Sequence, residues 1–320
     1  MDESGVVIFY LSIVALVLTW VTVSLRFYVR LVLKPSFGLD DCLLIVSLIL
    51  ASGHFIVSVY EPKCKIREDL NSLTPDETES NLKCFFASQL LWVTATATIK
   101  ISFALTLRRF LVIKWQHWCI WSSVSTTLII TIFYFCWLVF GCHPIRYFWQ
   151  RAKQPFAGSC KPMSTLAAAA YAHASVLLVN DIFLAVLPVF IVKDIQMNRS
   201  AKAAVVSILS IGSIPAVATI IRITHVPVAT QSENFIVSTA GLAIWSIVEI
   251  STSIMAVAAT ALRPLAEKLV VLKWRAPSSG NATVHSNGMY GDVRLHDLDS
   301  SRMTSTDRIV ISYQKHSSFD

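Results

Sequence analysis

Four ionisable side chains stand inside otherwise apolar runs: Lys100, Asp181, Arg222 and Glu249. Charged groups within a bilayer are costly and pair with one another, so they mark candidate sites of function. Depth follows from the rise of about 1.5 Å per residue in a helix. Counted inward from the ends of their runs, Lys100, Asp181 and Glu249 lie roughly 20–26 Å deep, so Lys100 can be neutralised by Asp181 or Glu249. Arg222 stands only a few residues from the end of its run, and is expected to reach the interface or line an outer cavity. Such groups can either tie helices together or form an ion pair whose rearrangement transmits a change along the bundle.

A second charged group sits at run ends. Arg26 and Arg30 close the first run, and Asp40 and Asp41 open the second within Phe37-Gly38-Leu39-Asp40-Asp41. The acids can cap a helix start and favour its positive end, and the spacing allows pairing with Arg26 and Arg30 across a short loop. A third group, Lys193, Arg199 and Lys202, lies in the polar turn inside Asn180–Arg222, between two apolar runs.

The elements that must position these residues are legible from composition. The 320 residues are 54% hydrophobic and only 15% charged, against roughly 25% charged in soluble domains. The apolar runs are near the length needed to cross a hydrocarbon core. Their backbone groups must be bonded within each segment, so they are helices. The expectation is an all-α membrane protein, a seven-transmembrane helix bundle over residues 1–275, with helices at about 5–25, 41–60, 85–107, 118–141, 164–192, 203–226 and 235–262. No basic region precedes the first run, which is therefore read as an uncleaved helix rather than a secretory signal. Residues 276–320 are polar and are expected to form a disordered cytoplasmic tail.

Charge sets the expected orientation. Thirteen bases cluster at alternate ends of the runs: Arg26, Arg30 and Lys34; Arg108, Arg109 and Lys114; Lys193, Arg199 and Lys202; Arg263, Lys268, Lys273 and Arg275. The other loops hold eight. This bias places the N-terminus outside and the C-terminus inside, with Asn198-Arg199-Ser200 and Asn281-Ala282-Thr283 on the unglycosylated side. The net charge of +7 thus reflects topology; no basic-aromatic module for stacking bases is present, and a nucleic-acid partner is not expected. Membrane lipid is the expected surrounding.

Cysteines agree with this orientation. Cys64, Cys84, Cys142 and Cys160 all fall in the two large loops assigned outside, where disulfides persist. Two bridges are expected, with three possible connectivities; a link from Cys84 to the loop after the fourth helix would tie the outer face together. His54 and His173 are scattered, without metal-ligand spacing, and are expected as satisfied core histidines. Trp137, Trp149 and Trp245 read as interface or packing residues. Neither a metal nor a nucleophile–base arrangement is visible, so an enzyme is not expected.

Several pieces together resemble the fungal rhodopsin-like integral membrane family: LRFYVRLVLKPSFGLDDCLLI, IKISFALTLRRF, GCHPIRYFW with GSC, NDIFLAVLPVFIVKDIQMNRSAKAAVV, SIGSIPAVATIIR and IWSIVEISTSIMAVAATALRPL. They span about Leu25 to Leu265. The resemblance implies a seven-helix receptor-like protein of the plasma membrane that senses an extracellular or surface cue and signals inward through a partner such as a G protein, or through cAMP. Ordinary rhodopsin-type receptors carry an acid-Arg-aromatic triplet where this chain has Leu107-Arg108-Arg109-Phe110, and the Asn-Pro…Tyr signature is missing. Retinal is not expected, because residues 235–262 contain no lysine. A transporter or channel, in which Pro188 and Pro215 break helices, and a non-signalling structural protein are the alternatives.

Overall fold

The computed structural model describes residues 3–33, 35–60, 74–109, 114–151, 153–154, 157–194, 215–224 and 235–275. Helix α1 (Glu3–Tyr28) runs into a π-helical turn (Val29–Leu33), followed by α2 (Leu39–Tyr60), α3 (Pro75–Arg108) and α4 (Lys114–Val139). A cap made of strand β1 (Cys142–His143), the single turn α5 (Tyr147–Gln150) and strand β2 (Ser159–Cys160) precedes α6 (Met163–Asp194). Helix α7 (Pro215–Thr224) and helix α8 (Phe235–Arg275) complete the described chain. Six of these helices are long and apolar enough to cross a membrane. Helix α7 lies within the run expected at 203–226, whose remaining residues, like the tail at 276–320, lie outside the described residues.

The boundaries differ from expectation where polar sequence can still make helix. Helix α3 starts at Pro75 rather than Phe85 because Thr74 and Glu77 form a reciprocal capping box, with Pro75 at the first helical position. That box satisfies two donors otherwise left open at a helix start. Helix α8 does not end at Arg263-Pro264 but continues to Arg275. Proline removes one donor and kinks a helix; the good helix formers that follow, from Leu265 to Lys273, carry it on. Helix α6 likewise runs through Pro188 to Asp194, so Pro188 does not break it.

The burial pattern is that of a bundle surrounded by apolar solvent. Ser12, Thr19, Ser47, Ser102 and Thr106 are buried between helices, whereas Val17, Ile49, Trp118, Ile129 and Val179 face outward. Inward polar groups can bond across helices; outward apolar groups face lipid without cost. Contacts fix the directions. Asp40 meets Thr106 while His54 meets Ser88, so α2 and α3 are antiparallel. Asn180 bonds Thr127 while His173 stacks on Tyr134, so α4 and α6 are antiparallel. Trp92 meets His173 and Lys100 meets Asp181, so α3 and α6 run parallel.

At one end of the bundle the cap is closed covalently. Cys142 and Cys160 pair in the short β1–β2 ladder and are joined by a disulfide. This corrects the expected link from Cys84 to this loop: both loop cysteines are used by each other. Cys64 lies outside the described residues. Lys153 reaches back to α3, onto Glu79 at 2.7 Å and onto Asp76, and Phe86 packs against Phe148 and Trp149. Gly158 is required here. A Cβ at this position would stand 2.7 Å from the His143 carbonyl oxygen and 2.8 Å from the Tyr147 ring.

Candidate functional site

Polar groups occur at three levels of the bundle, and α3 contributes to each. Trp92, Lys100 and the Thr106–Arg109 segment span about 25 Å along its axis. The levels are described from the end opposite the disulfide.

At the first level Arg26, wholly buried, is the hub. Its Nε donates to Asp41 at 2.9 Å and its Nη2 to Asp40 at 2.9 Å and Thr106 at 3.2 Å. Its Nη1 donates to the Val257 carbonyl at 2.5 Å and to Thr260 at 3.1 Å. One guanidinium therefore joins α1, α2, α3 and α8, using the fork geometry that a lysine lacks. Arg109 adds a second cation, paired with Asp40 and 3.6 Å from Asp41, and donates to the Ser36 carbonyl at 2.5 Å. Two bases and two acids make the cluster neutral. Gly38 leaves the room: a Cβ there would collide with the Arg109 guanidinium. The expected partnership of the acids with Arg26 is present, whereas Arg30 bonds Ser36 instead and makes no ion pair with either acid.

At the second level Lys100 pairs with Asp181. Both side chains are largely buried, at 8% and 14% exposure. Of the two acids proposed for Lys100, the structure selects Asp181.

The third level lies two helical turns nearer the disulfide. Arg222 Nε sits 3.1 Å from Glu249, and the guanidinium carbon lies 3.7 Å over the Trp92 ring. Glu249 also accepts from the Thr219 hydroxyl at 2.9 Å. Next to this group, His173 stacks on Tyr134 at 4.7 Å and meets the Trp92 edge. Arg222 is only 6% exposed, so it neither reaches the interface nor lines an outer cavity. Counting from run ends did not anticipate this, because the ring that covers Arg222 stands 17 residues into α3, which begins at Pro75 rather than Phe85.

The expectation of satisfied histidines holds for one ring nitrogen of His54, which lies 3.1 Å from Ser88 Oγ. It fails for His173, where both nitrogens are buried without a partner among the described residues. Lys193 lies in α6 by its backbone, but its side chain, together with Arg199 and Lys202, lies outside the described residues.

Sequence reasoning missed Arg109, Thr106, Trp92 and Thr219. Helical phase held part of the clue: Ser102, Thr106 and Arg109 stand at i, i+4 and i+7, one face of α3. Ser102 donates to the Asp40 carbonyl at 2.7 Å. Nothing in the spacing singled out Trp92 as the cover of a cation.

Buried ion pairs inside a bundle with an apolar exterior define a multi-pass helical membrane protein. The sequence model of the fungal rhodopsin domain matches residues 25–268, and the chain belongs to that family. It is 22% identical over 304 residues to a protein of Arthrobotrys oligospora named Receptor GIN3, covering 92% of this chain and 72% of that one. No solved structure matches the chain.

Proposed function

We propose that this protein senses an extracellular or surface cue at the plasma membrane and signals through a cytoplasmic partner such as a G protein, changing cAMP. The family and the receptor-named relative make it a receptor-like membrane protein. The observation that supports signalling is the third level. Arg222 and Glu249 are buried, opposite in charge and close, yet Arg222 Nε and Glu249 Oε2 make no hydrogen bond of good geometry. A buried pair left short of its hydrogen bonds carries a desolvation cost that a rearrangement can relieve.

In this reading the disulfide cap faces the oxidising side and the Arg26 cluster faces the cytoplasm. A ligand-driven shift of α7 against α8 repositions Arg222 over Trp92, and α3 and α6 carry the change past Lys100–Asp181. Lys193, in the last turn of α6, and Arg199 and Lys202, which follow α6 in sequence, are the residues through which the change is reported. Retinal does not enter the scheme, because residues 235–262 offer no lysine for a Schiff base.

The test is a cAMP and surface-response readout in cells lacking the protein, complemented with the parent chain or with Asp181→Asn, Arg222→Gln or Glu249→Gln. Restored response with the parent and altered response with the Arg222 and Glu249 variants, all present at equal surface level, is the expected result. Responses identical with and without the protein would remove the receptor reading.

A further inference from the structure

The cap at the disulfide end encloses a cavity of about 100 Å³, lined among others by Phe85, Phe86, Trp137, Leu138, Phe148 and Leu166. Arg151 and Lys161 also line it. We propose that this cavity binds a small organic monocarboxylate. Its ring or short chain fills the aromatic interior, and its carboxylate meets Arg151 and Lys161.

Charge carries the first half of the argument. The cap segment 141–162 holds Arg146, Arg151, Lys153 and Lys161 and not a single Asp or Glu. The neighbouring acids on α3 are already engaged: Asp76 by Lys153, and Glu79 by Lys153 and by Lys83 at 2.6 Å. Among the described residues neither Arg151 nor Lys161 has a carboxylate within 4 Å. They face rings instead, Arg151 over Phe148 at 5.4 Å and Lys161 over Trp137 at 3.8 Å. Burial pushes the Arg151 guanidinium below its usual pKa, the mark of a cation that has lost water without gaining an anion. A ring face offers about 0.5–1 kcal/mol to an exposed cation and about 2 kcal/mol to a desolvated one such as Arg151, and a charge-assisted bond to a carboxylate offers about 1.5–3 kcal/mol. An incoming carboxylate therefore adds to the ring contacts and supplies the anion that both cations lack.

Shape carries the second half. A cavity near 150 Å³ lined by apolar side chains takes up benzene; this one is smaller, about 100 Å³, and partly open, so a single ring or a short chain enters it with its charged end in the mouth. The walls are held by the Cys142–Cys160 disulfide, by the β1–β2 ladder and by the close approach at Gly158. Such preorganisation lowers the ordering cost of binding. Amines are repelled by the two cations, and neutral analogues lack the charged contacts.

The inference stands apart from signalling: binding without any downstream response leaves it intact and removes only the receptor reading. The experiment uses the full chain in phosphatidylcholine nanodiscs and fluorine NMR of 4-fluorobenzoate, with octanoate as competitor and 4-fluorobenzylamine as control. The expected result is benzoate binding at about 1 mM or tighter, competed by octanoate, with no binding of the amine. Arg151→Gln and Lys161→Gln are each expected to weaken it about tenfold. Leu166→Trp, which fills the cavity and keeps both cations, abolishes it. Unchanged melting and an intact disulfide show that each variant is folded. No benzoate binding, equal binding of the amine, or full binding by both Gln variants overturns the proposal. So does loss of benzoate binding when a tenth of the lipid is phosphatidylglycerol, since the cations would then serve a lipid headgroup.

Discussion

The Arg26 cluster and the Arg222 cluster use the same chemistry to different ends. Both bury an arginine against carboxylates in the bundle. Around Arg26 every guanidinium nitrogen has a partner, both acids are engaged, and threonine hydroxyls from α3 and α8 complete the set. Around Arg222 one cation meets one acid, and among the described residues Arg222 Nε, Glu249 Oε2 and both His173 nitrogens are left without hydrogen-bond partners. A saturated network specifies one arrangement; in an unsaturated one each orphaned polar atom carries a desolvation cost that a rearrangement or a ligand can relieve. The first region reads as a lock and the second as the place where the bundle can yield.

The largest effect is expected at the lock. Arg26→Met leaves Arg109 as the cation paired with Asp40 and Asp41 and removes the ties of α1 to α3 and α8. Breaking a buried pair by deleting one member costs about 3–5 kcal/mol. We expect loss of the monodisperse peak in detergent, or a melting midpoint lowered by many degrees. Parent-like melting would show that the cluster does not hold the fold.

Next comes Lys100→Met, which strands Asp181. The cost is expected below that of Arg26→Met, about 3 kcal/mol, because this pair joins only α3 and α6 and Asp181 keeps some exposure. Adding Asp181→Leu removes the stranded charge, so the double variant should melt above the single one. If the two substitutions simply add, Lys100 and Asp181 are not coupled.

Glu249→Gln is expected to be milder, about 1–3 kcal/mol. Glutamine keeps the Thr219 hydrogen bond, and Arg222 keeps the face of Trp92. The variant should fold, reach the surface and signal abnormally. Normal signalling at equal surface level would return the Arg222 region to the same class as the lock.

How much of this was legible before the structure depended on whether a residue's role is local. The all-helical class and the six long apolar spans of the described residues follow from length and hydropathy, which act on each segment separately. Pairing of Arg26 with Asp40 and Asp41 was legible because only a short loop separates them. The Lys100–Asp181 pair could be narrowed to two acids by depth, since α3 and α6 enter from the same side. Arg222 was misplaced because its partners, Trp92 on α3 and Glu249 on α8, come from other helices, and α3 starts at the Thr74–Glu77 capping box, which hydropathy does not see. The disulfide was legible as chemistry, and its pairing depended on the β1–β2 register at Cys142 and Cys160.

The smallest effect is expected at Trp92→Phe, and it bears most directly on the difference between the two regions. The indole lies 3.7 Å from the Arg222 guanidinium carbon, and its edge meets His173. Phenylalanine keeps an aromatic face but has a weaker attraction for a cation and less area, so the loss should be about 1 kcal/mol or less. At the Arg26 end such a loss would be absorbed, since that guanidinium has five other partners. At the Arg222 end it acts on a pair that already lacks good hydrogen bonds, and a 1.4 kcal/mol bias is a tenfold change in a two-state population. The expected outcome is melting within a few degrees of the parent together with a clear shift in basal cAMP. A shift in melting without any change in signalling would mean that Trp92 only packs, and that the unsatisfied atoms around Arg222 are fixed in place.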